Sequence, residues 1–202
     1  MKTVSLVFLI CLTTQPFLMA QDYYAQGDFT LSSGEGGHIE KVSSALDGDT
    51  LRLSNGQNLK LAGINTPEIH NASILPQEAK QFGMEVWAYR TIGGDAHKEV
   101  QRLLVRSQNL IRLESDGEAF DEEGNLRAYV FIPVERLEEG MVPDEKVILT
   151  RGESYEIFLN AYLVKLGFAE IRDDDANNSH QALLSKMEEE AKKNKLRLWK
   201  DR

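Results

Sequence analysis

The chain has 202 residues, 42% of them hydrophobic and 27% charged, with a formal net charge of −9. That balance is the composition of an ordinary soluble globule of one domain plus extras, and it excludes a low-complexity or membrane-embedded chain. The acidic excess repels polyanions unless positive charge is gathered in one groove.

Residues 1–20 stand apart from that globule. Lys2 precedes an apolar run from Val4 to Leu12, Thr13 to Pro16 interrupt it, and Ala20 offers a small residue for cleavage. The run is far short of the roughly 20 residues a bilayer requires, so it reads as a secretory signal peptide, although Leu18 is bulkier than such cleavage sites prefer. A retained N-terminal anchor is the alternative. The expectation is export to a periplasmic or extracellular space, with no stable membrane association once the leader is cut. The only cysteine, Cys11, falls in this leader, so the mature chain has no disulfide or thiolate metal site. Cleavage removes one lysine and no acid, which leaves a formal charge of −10.

Residues 21–37 are polar and glycine-rich and read as a flexible lead-in. Order is expected from His38. Ile39, Val42, Leu46, Leu51 and Leu53 suit strands broken at Asp47-Gly48, and Ser54-Asn55-Gly56-Gln57 carries an Asn-Gly hairpin signal. Strand 46–53 should therefore pair antiparallel with strand 58–64. Helical spacing follows at Gln77–Tyr89 and again at Asp95–Leu104, with Gly93-Gly94 as the break. Leu110–Glu114 and Ala128–Pro133 are the next strands, separated by Asp116-Gly117 and the acidic turn Asp121-Glu122-Glu123-Gly124. Residues 134–154 read as an exposed insertion with a short strand at Val147–Leu149. Phe158–Leu166 is an amphipathic helix ended by Gly167, Phe168–Ile171 is extended, and a charged helix runs from Ser179 toward Trp199.

The hairpin carries the chemistry. Asp47, Asp49, Thr50, Thr66 and Glu68 all fall at strand ends, where carboxylate and carbonyl oxygens can converge on a hard cation such as calcium. That is the layout of a small metal-assisted hydrolase. His38, His70, His97 and His180 lack metal-ligand spacing, and His180 is expected to pin the last helix, with Asn178 or Ser179 as its cap. Trp87 and Tyr89 suit core packing or a lid over the cleft. Lys186 to Lys200 form a basic stretch, but Glu188, Glu189 and Glu190 interleave it, as on a salt-laced exposed helix. Asn71-Ala72-Ser73 and Asn177-Asn178-Ser179 fit the glycosylation pattern, which matters only in a eukaryotic secretory host.

Taken in order, Asp-Gly-Asp-Thr at 47–50, Gly-Ile-Asn-Thr-Pro-Glu at 63–68, Gly-Asn-Leu-Arg-Ala-Tyr-Val at 124–130, Leu-Asn-Ala-Tyr-Leu-Val-Lys-Leu-Gly-Phe-Ala-Glu at 159–170, Asn177-Asn178-Ser179-His180 and the closing Leu198-Trp199 resemble the staphylococcal nuclease family. The resemblance covers the chain from about His38 onward. It implies an α+β fold: a five-stranded OB-fold β-barrel with about three packed helices. It also implies hydrolysis of phosphodiester bonds in DNA and RNA with calcium, and a monomer is expected.

Residue by residue, the resemblance gives Asp49 as a metal aspartate, Thr66 as the position whose carbonyl faces the metal, and Glu68 as the water-activating glutamate. Asn65 stands where a second metal aspartate is expected, so the Ca2+ site keeps an oxygen donor but loses a charge. Lys60 replaces one phosphate-gripping arginine, and Asn125 replaces the other. Lysine lacks the planar fork of arginine, and a neutral amide cannot offset charge on a pentacoordinate phosphate. Arg127, two residues along the strand, is either a displaced second clamp or a solvated arginine among Asp121, Glu122 and Glu123. Asp173-Asp174-Asp175 occupy the nucleotide-facing loop, read either as a solvated turn or as a cation holder. Two functions follow: an exported calcium nuclease of reduced efficiency, or a non-catalytic OB-fold module that binds a protein or other ligand.

Overall fold

A computed structural model describes residues 38–115, 120–144, 146–172 and 178–200. The leader, the lead-in, Asp116-Gly117, Asp173-Asp174-Asp175 and Asn177 lie outside the described residues.

Strands β1 (His38–Ala45), β2 (Thr50–Leu53) and β3 (Asn58–Leu61) form an antiparallel meander. The expected hairpin is present: Leu53 N–H donates to the Gln57 carbonyl, Asn55 Oδ1 accepts from Gln57 N–H at 2.9 Å, and Gly56 takes φ 90°. Alternation decides the faces. Leu51, Leu53, Leu59 and Leu61 are buried, so Thr50, Arg52, Asn58 and Lys60 share the outer face. β1 gives its first half to β5 (Leu110–Glu114) and its second half to β2, with a register shift between Val42 and Ser44 that lets one strand serve both neighbours. β6 (Leu126–Val134) pairs antiparallel with β5 and, at its start, parallel with β3. That parallel contact closes β1-β2-β3-β6-β5 into the five-stranded OB-fold barrel.

Among the described residues four α-helices surround the barrel: α1 (Leu75–Gln81), α2 (Val86–Arg106), α3 (Leu159–Lys165) and α4 (Gln181–Lys193), with a 3₁₀ turn at Arg197–Trp199. No helix among the described residues is long and apolar enough to cross a membrane. A short pair, β4 (Ile64–Asn65) with β9 (Glu170–Ile171), ties the segment after β3 to the start of the C-terminal region. Asn160, fully buried on α3, donates to the Ala62 carbonyl at 2.8 Å and accepts from Val130 N–H at 2.9 Å, so it locks β6 to that same segment.

Four expectations are corrected. Gly93-Gly94 does not break a helix; both lie inside α2, and the break falls at Phe82–Glu85, where Gly83 takes φ 66°. A helix tolerates the roughly 1 kcal/mol cost of a glycine when one face is buried, and α2 buries Tyr89, Ala96, Val100, Leu103 and Leu104. Residues 148–158 form a hairpin of β7 (Ile148–Arg151) and β8 (Ser154–Phe158), and β8 pairs with β6, so the expected Val147–Leu149 strand is one arm of a sheet extension. Phe158 belongs to β8 and is buried, where helical spacing placed it at a helix start. Finally, α4 begins after His180 with no side-chain cap; the Asn178 carbonyl accepts from Gln181 N–H instead. His180 packs its ring against Tyr129 and Phe158 at 4.5 and 4.7 Å and lies 3.4 Å from Glu114.

Candidate active site

The site grows from the turn between β1 and β2. Leu46 and Asp47 N–H both donate to the Thr50 carbonyl, and Asp47 Oδ1 accepts from Asp49 N–H at 2.9 Å. Glycine is required at position 48 by close approach: a Cβ there would meet Ala96 Cβ and Thr66 Oγ1, each at 2.8 Å. The turn is therefore pressed between α2 and the loop after β4. His70 and His97 steady it from outside, each with Nε2 about one hydrogen bond from a carbonyl, Leu46 at 3.0 Å and Ala45 at 3.1 Å.

Asp49 is only 4% exposed, with Oδ1 accepting from the Thr50 hydroxyl at 3.0 Å and Oδ2 from Thr66 N–H at 2.9 Å. Burial and then the neighbouring Asp47 carboxylate push its carboxyl up to about 7, against the opposing pull of Lys60 and the Thr66 N–H. Asp49 and Thr66 are thus brought together. Asn65 sits half-buried beside them, paired across β4 and β9 with Glu170.

Glu68 crowns the loop. Its Oε1 accepts from the N–H groups of Ile69, His70 and Asn71 at 2.8, 2.6 and 3.2 Å. Burial acts to raise this carboxyl, but the three N–H donors outweigh it and hold Glu68 below the usual glutamate value, ionised at neutral pH. The loop is seated on α2 through Gly93, where a Cβ would lie 2.3 Å from the Pro67 carbonyl oxygen and 2.7 Å from Ile69 Cγ2. Gly93 is a contact glycine.

Two cations face the outside of the same barrel wall. Lys60 is the register partner of Thr50 on one side and of Arg127 on the other, so Lys60 and Arg127 stand side by side on the outer face. Neighbouring strands lie about 4.8 Å apart, a spacing that two cationic side chains can bridge onto one phosphate. Lys60 acts on Asp49 electrostatically, and Arg127 also lies close enough to Asp121 to lower that carboxyl. Asn125 points elsewhere: its amide nitrogen donates to Asp121 at 2.9 Å and Glu123 at 3.3 Å, closing the acidic turn. Arg52 donates to the Gly56 carbonyl at 3.1 Å in the hairpin and takes no part in the site.

Sequence reasoning gave no role to Glu78 and gave Tyr89 only packing or a lid. Glu78, on α1, has a carboxylate oxygen, Oε2, buried with no hydrogen-bond partner, and feels the charges of Glu68 and Asp49. Burial, first, and those two acids raise its carboxyl above the usual value. An acid within a seven-residue helix after the Thr-Pro-Glu motif was visible in the sequence, but nothing there showed that it turns inward. Tyr89 is buried at 1% exposure, whereas Trp87 is 72% exposed, so packing describes only the first of the pair.

The donor set suits a hard cation in kind. Its groups are oxygen donors throughout, Asp47 and Asp49 repel one another, and Thr66 Oγ1 is buried with no hydrogen-bond partner. It is sparse in number, because no three His, Cys, Asp or Glu side chains among the described residues gather as a metal set. A closed five-stranded OB-type barrel with helices packed around it is a nuclease-like fold. A family model described as staphylococcal nuclease homologue matches residues 58–201, and the chain belongs to that family. Nucleic-acid binding is the family's general property, and the match spans β3, the Glu68 loop, β6 and both C-terminal helices.

Proposed function

We propose that this protein is an exported, calcium-dependent endonuclease of reduced efficiency, acting on phosphodiester bonds of DNA or RNA. The observation that carries the reading is the register pairing of Lys60 with Arg127 beside Asp49, which provides a second cation where Asn125 offers none. Glu68, ionised and fixed by three backbone N–H groups, takes a proton from the attacking water as its oxygen bonds to phosphorus and the bond to the leaving sugar oxygen breaks. Lys60 and Arg127 hold the non-bridging phosphate oxygens and offset the charge that builds on them. Asp49, Asn65 and Thr66 would hold calcium, which when bound supplies fixed positive charge to the phosphate. The charge missing at Asn65 weakens that binding. Export rests on the leader at 1–20, with cleavage after Ala20.

One observation favours a second reading. Glu68 Oε1 already caps three amides, and Asn125 is consumed by the acidic turn, as in a module that kept the scaffold without the reaction and binds a protein ligand. Hydrolysis of single-stranded DNA and RNA by the protein from Gln21, with calcium or with a chelator, separates the two. Calcium-dependent cleavage lost in Glu68→Gln and Asp49→Ala supports the enzyme. Cleavage no greater than in those variants, at millimolar calcium, supports the binding module.

A further inference from the structure

Glu68 stands midway between two ties that bind its loop to the β1–β2 turn. On one side Thr66 N–H donates to Asp49 Oδ2 at 2.9 Å, and on the other His70 Nε2 lies 3.0 Å from the Leu46 carbonyl oxygen. The turn that receives both ties is itself closed, since Leu46 N–H and Asp47 N–H share the Thr50 carbonyl at 2.8 and 3.3 Å. A single hydrogen bond would leave the loop free to pivot about it; a second, on the far side of Glu68, removes that freedom. His70 also meets the carboxylate through its main chain, donating its N–H to Glu68 Oε1 at 2.6 Å. One residue therefore holds Glu68 with its backbone and the turn of Asp47 and Asp49 with its side chain. A carbonyl only accepts, so the second tie requires the proton of a neutral imidazole to sit on Nε2.

We propose that His70 is a positioning residue that fixes Glu68 relative to the turn carrying Asp47 and Asp49, and so sets the spacing between the base and the cation-facing carboxylates. The proposal rests on the reading of Glu68 as the base. Its physical ground is that a base must stand within hydrogen-bond reach of the attacking water, and a displacement near 1 Å costs on the order of 10²-fold in rate. The His70 tie is exposed, so its loss loosens the loop without opening the barrel core. His97 provides the comparison: its Nε2 lies 3.1 Å from the Ala45 carbonyl, so it holds the same turn from α2 and not from the Glu68 loop.

The test uses the whole chain that follows the leader and three readouts. Long-range proton–nitrogen NMR shows neutral His70 protonated on Nε2. In His70→Ala, protection of the Ile69 and Asn71 amides against solvent exchange falls about fivefold, the effect of one lost hydrogen bond, while amides of β5 and β6 keep their rates. In the same variant kcat on single-stranded DNA falls about tenfold with KM unchanged. His70→Gln, whose side-chain amide nitrogen can take the place of Nε2, restores most of both, and His97→Ala leaves protection at Ile69 and Asn71 as it was. A His70 proton on Nδ1, unchanged protection or kcat in His70→Ala, no rescue in His70→Gln, or an equal loss of protection in His97→Ala each overturns the proposal. A parent protein with no hydrolysis overturns the reading of Glu68 as base and the positioning role with it; the tautomer and the amide protection then show whether the tie itself exists, which tells the two failures apart.

Discussion

Lys60 and Arg127 show how little a single residue's identity says about its work. Lys60 occupies a motif position and was legible in the sequence; Arg127 was legible only as one of two options. The choice between them turns on a parallel pairing between strands far apart in the chain, which no local pattern encodes. Asn125 shows the converse, since its position drew attention while its side chain serves the Asp121 turn. Arg127→Ala is expected to lower the rate by roughly 10² to 10³-fold, the usual cost of one charge-stabilising donor, with the thermal midpoint nearly unchanged. Lys60→Arg is expected to raise it by roughly tenfold, because the planar fork grips two phosphate oxygens at once. Steady-state kinetics on one oligonucleotide check both; equal rates for Arg127→Ala and the parent would remove Arg127 from the site.

Among the elements, α2 carries the clearest lesson. Gly93 and Gly94 look alike in sequence and suggest a break, but they differ in surroundings: a Cβ at 93 would strike the Pro67 carbonyl, and a Cβ at 94 would meet nothing within 4 Å. Gly94→Ala should therefore stabilise by about 0.5–1 kcal/mol through helix propensity. Gly93→Ala should destabilise by about 1–2 kcal/mol, overpacking outweighing the propensity gain, and should also displace the Glu68 loop. Urea unfolding of the two variants is the check, and the same sign for both would refute the contact role of Gly93. Local patterns carried the first hairpin, β5, β6 and α3 because alternation, Asn-Gly and Gly167 are short-range signals. They failed at β8 and at Glu78, where burial is set by partners distant in sequence.

At the scale of the whole molecule, acid stability depends on carboxylates built into the frame. The His180 ring and then Arg112 hold Glu114 at about 2, well below its ordinary 4.5, although partial burial opposes them. For Asp144, burial pushes upward, but the Val147 N–H, Lys165 and two further N–H groups prevail and bring it to about 2. A depressed carboxylate stabilises the fold fully above its unfolded value and loses that contribution as pH falls toward its folded value. Through these two groups the thermal midpoint should drop between about pH 4.5 and 2, and Glu114→Gln should shallow that slope. A midpoint equally pH-dependent in the parent and Glu114→Gln would exclude Glu114 as a source.

The closing contact of the barrel has a temporal meaning. β3 and β6 are separated in the chain by β4, α1, α2 and β5, so loop-closure entropy is expected to make their pairing later than that of the neighbouring hairpins. Lys60 and Arg127, the proposed phosphate clamp, become neighbours only when that event is complete. A nascent or unfolded chain therefore carries every residue of the proposed site but no assembled charge pair, and hydrolytic competence arrives with barrel closure as a single step. Under the proposed export, a chain kept open until then would leave the nucleic acids on the near side untouched.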